Sequence, residues 1–125
     1  MAVTHGSATR DAIANLVDDQ CNAGSGAAKL KIRNAGNTVL ATITLADPAH
    51  GASSGGTISL AGLPKSDTSA DATGTAANFI VTDSEDNTVY AGSVGEGSGD
   101  LSLDNTDINA GQTVTITAGG YTAPA

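Results

Sequence analysis

Short stretches of alternating apolar and polar residues, each bounded by turn-forming residues, constrain the fold of this chain more than any other feature. In KLKIR, residues 29–33, Leu30 and Ile32 point to one face of a strand while the basic residues point to the other. The turn sequence at 34–37 leads into TVLATITL, and this arrangement predicts a hairpin. FIVTD and TVYAGSV, separated by 84–87, predict a second hairpin.

The remaining strand patterns are short and closely spaced, at 57–60, 101–103 and 113–117. Their connections are too short for crossover helices, so the sequence predicts a mainly β fold, an antiparallel β-sandwich or jelly-roll-like barrel with one short N-terminal helix. A chain of 125 residues has room for a single domain. We expect a flexible N-terminal arm at 1–8, a helix at 9–23, the β-sandwich at 28–118 and a C-terminal tail at 119–125.

The predicted helix carries its apolar residues at three- and four-residue spacing, with Ile13, Leu16, Val17 and Cys21 on one stripe. We expect this stripe to cover a sheet face or an open end of the barrel. Cys21, the single cysteine, is then a small buried hydrophobe and not a reactive thiol.

Two stretches interrupt the strand pattern, at 46–56 and at 64–75. Both are rich in small polar residues and poor in residues that could anchor them in a core, so both are predicted to be surface loops. Such loops either contact a partner protein or form long mobile connections, and the sequence leaves both interpretations open.

The formal net charge of -8 argues against nucleic-acid binding and against an anionic membrane surface, because little positive charge is available to neutralise phosphates. No apolar run is long enough to cross a bilayer, and the N-terminus lacks the basic and apolar regions of a signal peptide. We therefore expect synthesis in the cytoplasm without export, and the single cysteine agrees with a reducing compartment.

GASSG at 51–55 matches the G-x-S-x-G pattern of a serine nucleophile. That motif needs a helix directly after the serine, whereas Ser53 precedes a predicted strand. The other triad members would have to be His5 or His50, with Asp47 as the acid. We interpret the match as coincidence in a biased loop, and we expect no enzymatic activity and no catalytic residues.

The sequence contains no strong pattern that is typical of a metal or cofactor site. Two histidines and one cysteine provide no paired spacing for a transition metal. Acidic residues crowd two turns, at 83–86 and 100–107, but neither fits an EF-hand loop, so we interpret them as solvated acids. The glycine-rich stretch 95–99 precedes a strand and contains an acid, which argues against phosphate binding. We expect no metal and no cofactor.

Lys29, Lys31 and Arg33 form the one concentrated basic feature of this acidic chain. They either lie on an exposed strand face or protected sheet edge, or they form a dock for an acidic partner surface, where complementary charge would steer association.

Three segments together resemble a family of small proteins encoded by tailed bacteriophages and prophages: AAKLKIRNAGNTVLATITLADPAHG, SDTSADATGTAANFIVTDSEDNTVYAGSVG and DLSLDNTDINAGQTVTITAGGYTAP. The resemblance runs in order across almost the whole chain, and SDTSADATGTAA at 66–77 is its most specific part. Arg33-Asn34 departs from the pattern, which usually has an aromatic residue followed by a short threonine-glycine turn, so the first hairpin tip is expected to differ.

The resemblance implies a virion structural protein, most simply a capsid decoration or cement protein that binds the outer surface of the major capsid protein as a homotrimer or homodimer. The alternative is a tail- or fibre-associated protein that contacts other tail subunits or the host surface. The expected location is the capsid surface, after synthesis in the cytoplasm of the host bacterium. The expected partner-contact residues lie on the N-terminal arm, the basic strand face and the two loops: Val3, Thr4, His5, Lys29, Lys31, Arg33, Asp47, His50, Ser53, Lys65, Asp67 and Asp71.

Overall fold

The computed structural model describes residues 5–24, 26–46, 49–96 and 100–123. Within these ranges the chain forms one helix, α1 (Ser7–Cys21), followed by ten short strands. The strands are β1 (Lys29–Arg33), β2 (Val39–Thr44), β3 (Thr57–Ser59), β4 (Lys65–Asp67), β5 (Gly74–Thr75), β6 (Asn78–Thr82), β7 (Thr88–Gly95), β8 (Leu101–Leu103), β9 (Asp107–Ile108) and β10 (Val114–Thr122).

Eight strands form one curled, half-barrel-like sheet in the order β2-β1-β6-β7-β8-β10-β3, with β4 pairing beside this path on β10. β5 and β9 form a separate two-stranded sheet. The described pairs are antiparallel except β7 with β8, which run parallel where Val94 faces Leu101. The predicted fold class, mainly β with one N-terminal helix, is confirmed.

Short polar side chains hold the turns of the two predicted hairpins. In the β1–β2 turn, Asn34 Oδ1 accepts a hydrogen bond from the Thr38 N–H at 3.0 Å, and Asn37 adopts a φ of 65°. In the β6–β7 turn, Asp83 Oδ1 accepts from the Asn87 N–H at 2.9 Å. Side-chain acceptors of this kind replace strand pairing where the chain reverses, so both hairpin predictions are confirmed.

The inward face of the sheet carries the core. In β1, Leu30 and Ile32 are fully buried, while the three basic residues that alternate with them are half-buried, as the period-two pattern predicts. Phe79 is the largest fully buried side chain. Aliphatic residues from the other strands complete this core: Leu40, Ile43, Ile58, Val81, Leu101, Leu103, Ile108, Val114 and Ile116.

Helix α1 buries the predicted stripe only in part, because Cys21 is buried and Ile13 and Val17 are half-buried, whereas Leu16 is exposed. Ala14 and Cys21 are fully buried, but Leu16 is 57% exposed, so its place on the predicted stripe is wrong. The helix also begins and ends two residues earlier than the predicted 9–23. Polar side chains explain the orientation, because Asp11 Oδ1 accepts from the Gly56 N–H at 2.8 Å and Asp18 Oδ1 accepts from the His50 N–H at 3.1 Å.

Residues 64–75 are tied to the body at several points and are not a free loop. β4 and β5 lie within this range, and Ala70 is buried with 4% exposure. The Ala70 N–H donates to Gln112 O, and the Asp71 N–H donates to Leu40 O at 2.7 Å. The expectation that this stretch lacks anchors is wrong, because backbone hydrogen bonds and one small alanine anchor it without any large apolar residue.

The C-terminal segment also differs from expectation. Residues 119–122 were predicted to be part of a tail, but they continue β10, which pairs with β3 where Gly120 faces Ser59 and Thr122 faces Thr57. The pattern missed this extension because Gly119 and Gly120 interrupt the apolar alternation. A Cβ on Gly120 would collide with the Ile58 carbonyl oxygen, so glycine is required for the close approach of the two strands.

Candidate functional site: an aromatic cleft and a basic strand face

The three aromatic residues of the chain, Phe79, Tyr90 and Tyr121, lie together although they come from three different strands. Phe79 and Tyr90 meet edge to face with ring centroids 6.0 Å apart, and Tyr90 and Tyr121 are 5.5 Å apart. These distances are typical of favourable aromatic pairs. In a chain with so few large side chains, this cluster is the natural place to look for a site.

The cluster lines a cleft of about 570 Å³, which we call the aromatic cleft. This volume falls in the range of small-molecule and peptide-segment sites. Besides the three rings, polar and small residues line the cleft: Thr57, Ser59, Ala91, Asp100, Gly119, Gly120 and Thr122. Apart from the tyrosines, Asp100 is the one ionisable side chain among these lining residues. Its Oδ2 accepts a hydrogen bond from the Ser93 N–H at 2.9 Å.

A buried hydrogen-bond chain supports the cleft from behind. His50, 3% exposed, places Nδ1 2.9 Å from Asp18 Oδ1 and Nε2 2.9 Å from the Tyr90 hydroxyl. Asp18 Oδ1 acts as an acceptor, so Nδ1–H donates to it, and Nε2 is left to accept the Tyr90 O–H. Burial, followed by the nearby Cys21 and Asp18, raises the pKa of Tyr90, so this hydroxyl stays a proton donor.

This geometry contradicts the prediction that His50 lies at the surface as a partner-contact residue. Its segment runs against α1, where the His50 N–H also bonds to Asp18 Oδ1 at 3.1 Å, and the ring is therefore enclosed. The arrangement also bears on the GASSG pattern, because both ring nitrogens of His50 are engaged and neither is available as a base for Ser53.

The basic strand face lies on the outside of β1, between β2 and β6, so the interpretation as a sheet edge is wrong. Lys31 and Lys29 approach Asp86 Oδ1 at 3.1 and 3.6 Å, and Arg33 Nε donates to Asn78 Oδ1 at 2.8 Å. The hydrogen bond from Lys31, with the charges of both lysines, lowers the pKa of Asp86. This face is therefore partly neutralised within the chain.

The other expected contact residues are spread over the surface. His5 and Asp71 are exposed, and Ser53 and Lys65 are half-buried. Asp67 has a structural role, because its Oδ2 accepts from the Thr42 N–H at 3.1 Å. Val3, Thr4 and Asp47 lie outside the described residues.

The acidic turns use their carboxylates as local hydrogen-bond acceptors. Besides the turn amide of Asn87, Asp83 accepts from the Asn87 side chain at Oδ2, and Asp104 accepts from the Thr115 N–H. In the described part of the chain, no group of three or more histidine, cysteine or acidic residues is arranged to hold a metal ion.

None of the aromatic residues was predicted as a site residue, and the cleft that they share with Asp100 was missed. The available signal was their scarcity together with the glycines beside them: Gly92 lies two residues after Tyr90, and Gly119-Gly120 precedes Tyr121. Glycines next to isolated aromatic residues in strands indicate space or close backbone approach beside the ring.

Comparison of the chain with protein-family models, with curated proteins and with solved structures finds no match. Across the residues that the structure describes, no helix combines the length and the apolar character needed to cross a bilayer.

Proposed function

We propose that this chain is a structural protein of a tailed-phage virion, and specifically a decoration protein that binds the outer surface of the major capsid protein and stabilises the head. The proposal depends on the segment at 66–77, which is the most specific part of the resemblance to the tailed-phage family, and on the way the fold holds this segment at the surface. The chain holds this segment as an ordered strap with exposed small polar side chains, among them Ser69 and Asp71.

An ordered strap suits a clip protein for a physical reason. Binding through a mobile loop loses conformational entropy, whereas a strap already held by β4, Ala70 and β5 loses little. Each contact can be weak, because many copies on a closed shell act together and the shell gains stability from every bound copy.

The proposal includes self-association as a trimer or dimer on the shell, with the major capsid protein as the partner. An acidic decoration protein meets its partner best through complementary charge. On the basic strand face, Asp86 already neutralises Lys29 and Lys31 in part, so we place the principal capsid contacts on the strap.

The deciding experiment is quantitative mass spectrometry of purified virions, with copy number measured relative to the major capsid protein. A decoration protein is expected in hundreds of copies, in fixed ratio to the capsid protein. A dozen copies or fewer would favour the tail or fibre alternative, and absence from virions would remove both assignments.

A second measurement tests the strap. Asp71→Lys changes an exposed strap residue whose own N–H bond to Leu40 is made by the backbone and is therefore retained. We expect reduced occupancy on capsids with unchanged folding, whereas Asp19→Lys, on the exposed side of α1, serves as a matched control with normal occupancy. Equal occupancy for both variants would contradict the strap assignment.

A further inference from the structure

Between β7 and β10, the described residues fill a strand position of the main sheet only in part. β8 lies between β7 and β10 but is three residues long, and it pairs with β7 at Val94–Gly95 alone. Beyond this pairing, residues of β7 and β10 line the aromatic cleft, and no described strand lies in the gap between them there. We propose that the aromatic cleft binds a short extended segment of a partner polypeptide, which continues the strand position begun by β8.

The hydrogen-bond register of β7 supports this proposal. Ser93 directs its N–H to Asp100 Oδ2 and its carbonyl to the Asp100 N–H, both away from β6. Val94, by contrast, donates to Ala77 O on the β6 side. Because backbone groups alternate sides along an antiparallel strand, the N–H and C=O of Ala91 point into the gap, where no described strand pairs with them.

The facing edge of β10 shows the same alternation. Gly119 O accepts from the Leu60 N–H, and the Ala123 N–H donates to Gly56 O, so odd-numbered residues pair with β3. The backbone groups of Gly120 and Thr122 therefore point into the gap. Both rims offer peptide donors and acceptors at strand spacing, which is the array that an added strand satisfies.

The size and charge of the gap define the occupant further. Along β7 the gap runs from Gly92 back to Thr88, so it accommodates an extended segment of about five residues at about 3.3 Å per residue. Alternate side chains of the added strand would rest on Tyr90 and Tyr121, and the others would face solvent. Asp100 lies at the end closed by β8, so a basic residue at that end of the segment would be favoured by charge.

An extended peptide fits these groups better than a saccharide does. The rim groups are mainly backbone amides and carbonyls, and the Tyr90 hydroxyl already bonds to His50. As an account of how the decoration protein holds a capsid subunit, the inference rests on the proposed function. The peptide measurements below use the isolated protein, so their outcome is independent of the copy number in virions.

The test uses the isolated ¹⁵N-labelled protein and two synthetic peptides, acetyl-KVTVT-amide and acetyl-EVTVT-amide. We expect the lysine peptide at millimolar concentration to shift the amide signals of Ala91, Gly120 and Thr122. Amide hydrogen exchange at these residues should slow as peptide is added, because new backbone hydrogen bonds protect them. Both tyrosines of the chain line the cleft, so tyrosine fluorescence gives a second readout.

Two variants separate strand addition from other binding. Ala91→Pro removes a gap-facing N–H without removing a bond to β6, and it should abolish binding of both peptides. Asp100→Lys should weaken the lysine peptide and favour the glutamate peptide, each by roughly two- to fivefold. Asp104→Lys changes an exposed acid beyond the other end of β8 and should leave the preference unchanged.

If Ala91→Pro does not fold, the charge-swap series with Asp100→Lys and Asp104→Lys carries the test alone. Unchanged exchange at Ala91 and Thr122 with millimolar lysine peptide would overturn the proposal. So would shifts of the tyrosine signals by maltose or cellobiose with no response to either peptide, which would identify a saccharide pocket instead.

Discussion

The Tyr90 hydroxyl lies 2.9 Å from His50 Nε2 and links β7 to the segment that precedes β3. Because His50 also bonds to Asp18 on α1, a single buried imidazole joins the helix, that segment and the sheet. A group with two hydrogen bonds and 3% exposure cannot be removed without leaving partners unsatisfied.

We therefore predict that His50→Ala lowers the free energy of unfolding by about 2–4 kcal/mol, because it leaves a cavity and an unpaired Tyr90 hydroxyl. Urea unfolding followed by circular dichroism measures the change. His5→Ala, at an exposed position, is the control and should change stability by less than about 0.5 kcal/mol. Equal effects from the two variants would show that the buried hydrogen bonds of His50 contribute little to the free energy of unfolding.

The exposure of Leu16 gives a prediction opposite to the one that follows from its place on the predicted stripe. Leu16→Ala should cost less than about 0.5 kcal/mol because Leu16 is largely exposed. Ala14→Leu should destabilise the fold by about 1–3 kcal/mol because Ala14 is fully enclosed. Thermal unfolding of both variants tests the orientation of the helix, and a larger loss for Leu16→Ala would contradict it.

Cys21 should react slowly in the folded protein. Burial, followed by the charges of Asp18 and Asp83, raises the pKa of this thiol to about 12, so little thiolate exists at neutral pH. We expect negligible modification by a disulfide reagent at pH 8 and rapid modification in denaturant. Native labelling at the rate of free glutathione would mean that the thiol is accessible and that the C-terminal end of α1 does not pack against the body of the protein.

The β6–β7 turn should weaken in acid. Hydrogen bonds from the Asn87 backbone and then its side chain lower the pKa of Asp83, and contacts with Lys31 and Lys29 lower that of Asp86. A lowered folded-state pKa stabilises the fold above the unfolded value of about 3.9, and this stabilisation is lost as pH falls through the folded pKa.

Carboxyl NMR titration should accordingly place both groups below the usual aspartate range. Asp83→Asn should flatten the loss of stability below about pH 4, because the ionised carboxylate favoured in the folded state is gone. In Asp86→Asn the flattening should be smaller and should disappear in high salt, because its ion pairs are exposed. Identical acid profiles for Asp83→Asn and the unmodified protein would contradict the role of this turn.

The turns and the strands with regular alternation could be predicted from the sequence, because both depend on only a few neighbouring residues. Asn34 and Asp83 cap their turns with acceptors from the same short segment, and Leu30 and Ile32 alternate with polar neighbours on one strand. The fold class and both hairpins followed from such local signals. The short strands β4, β5 and β9 carried no comparable pattern, since each has two or three residues and pairs with a distant segment.

The candidate site could not be predicted from such local signals. The predicted second hairpin brings Phe79 near Tyr90, but Tyr121 stands far from both in the chain, and nothing local indicates that it meets them. His50 resembled a surface residue because its neighbours are small and polar, yet contact with Asp18 encloses it. Exposure is decided by what packs against a residue and not by the residues beside it.

By itself, the sequence determined the local conformations: two hairpins, one helix and a β-rich body, because turn residues and alternation restrict the backbone over short distances. Only the tertiary structure decided which face of α1 is buried, since Asp11 and Asp18 bond to distant backbone and orient the helix. The strand at 101–103 was predicted, but only the tertiary structure placed this short strand between the longer β7 and β10. That mismatch opens the aromatic cleft, because strand pairing is a relation between segments that no single segment encodes.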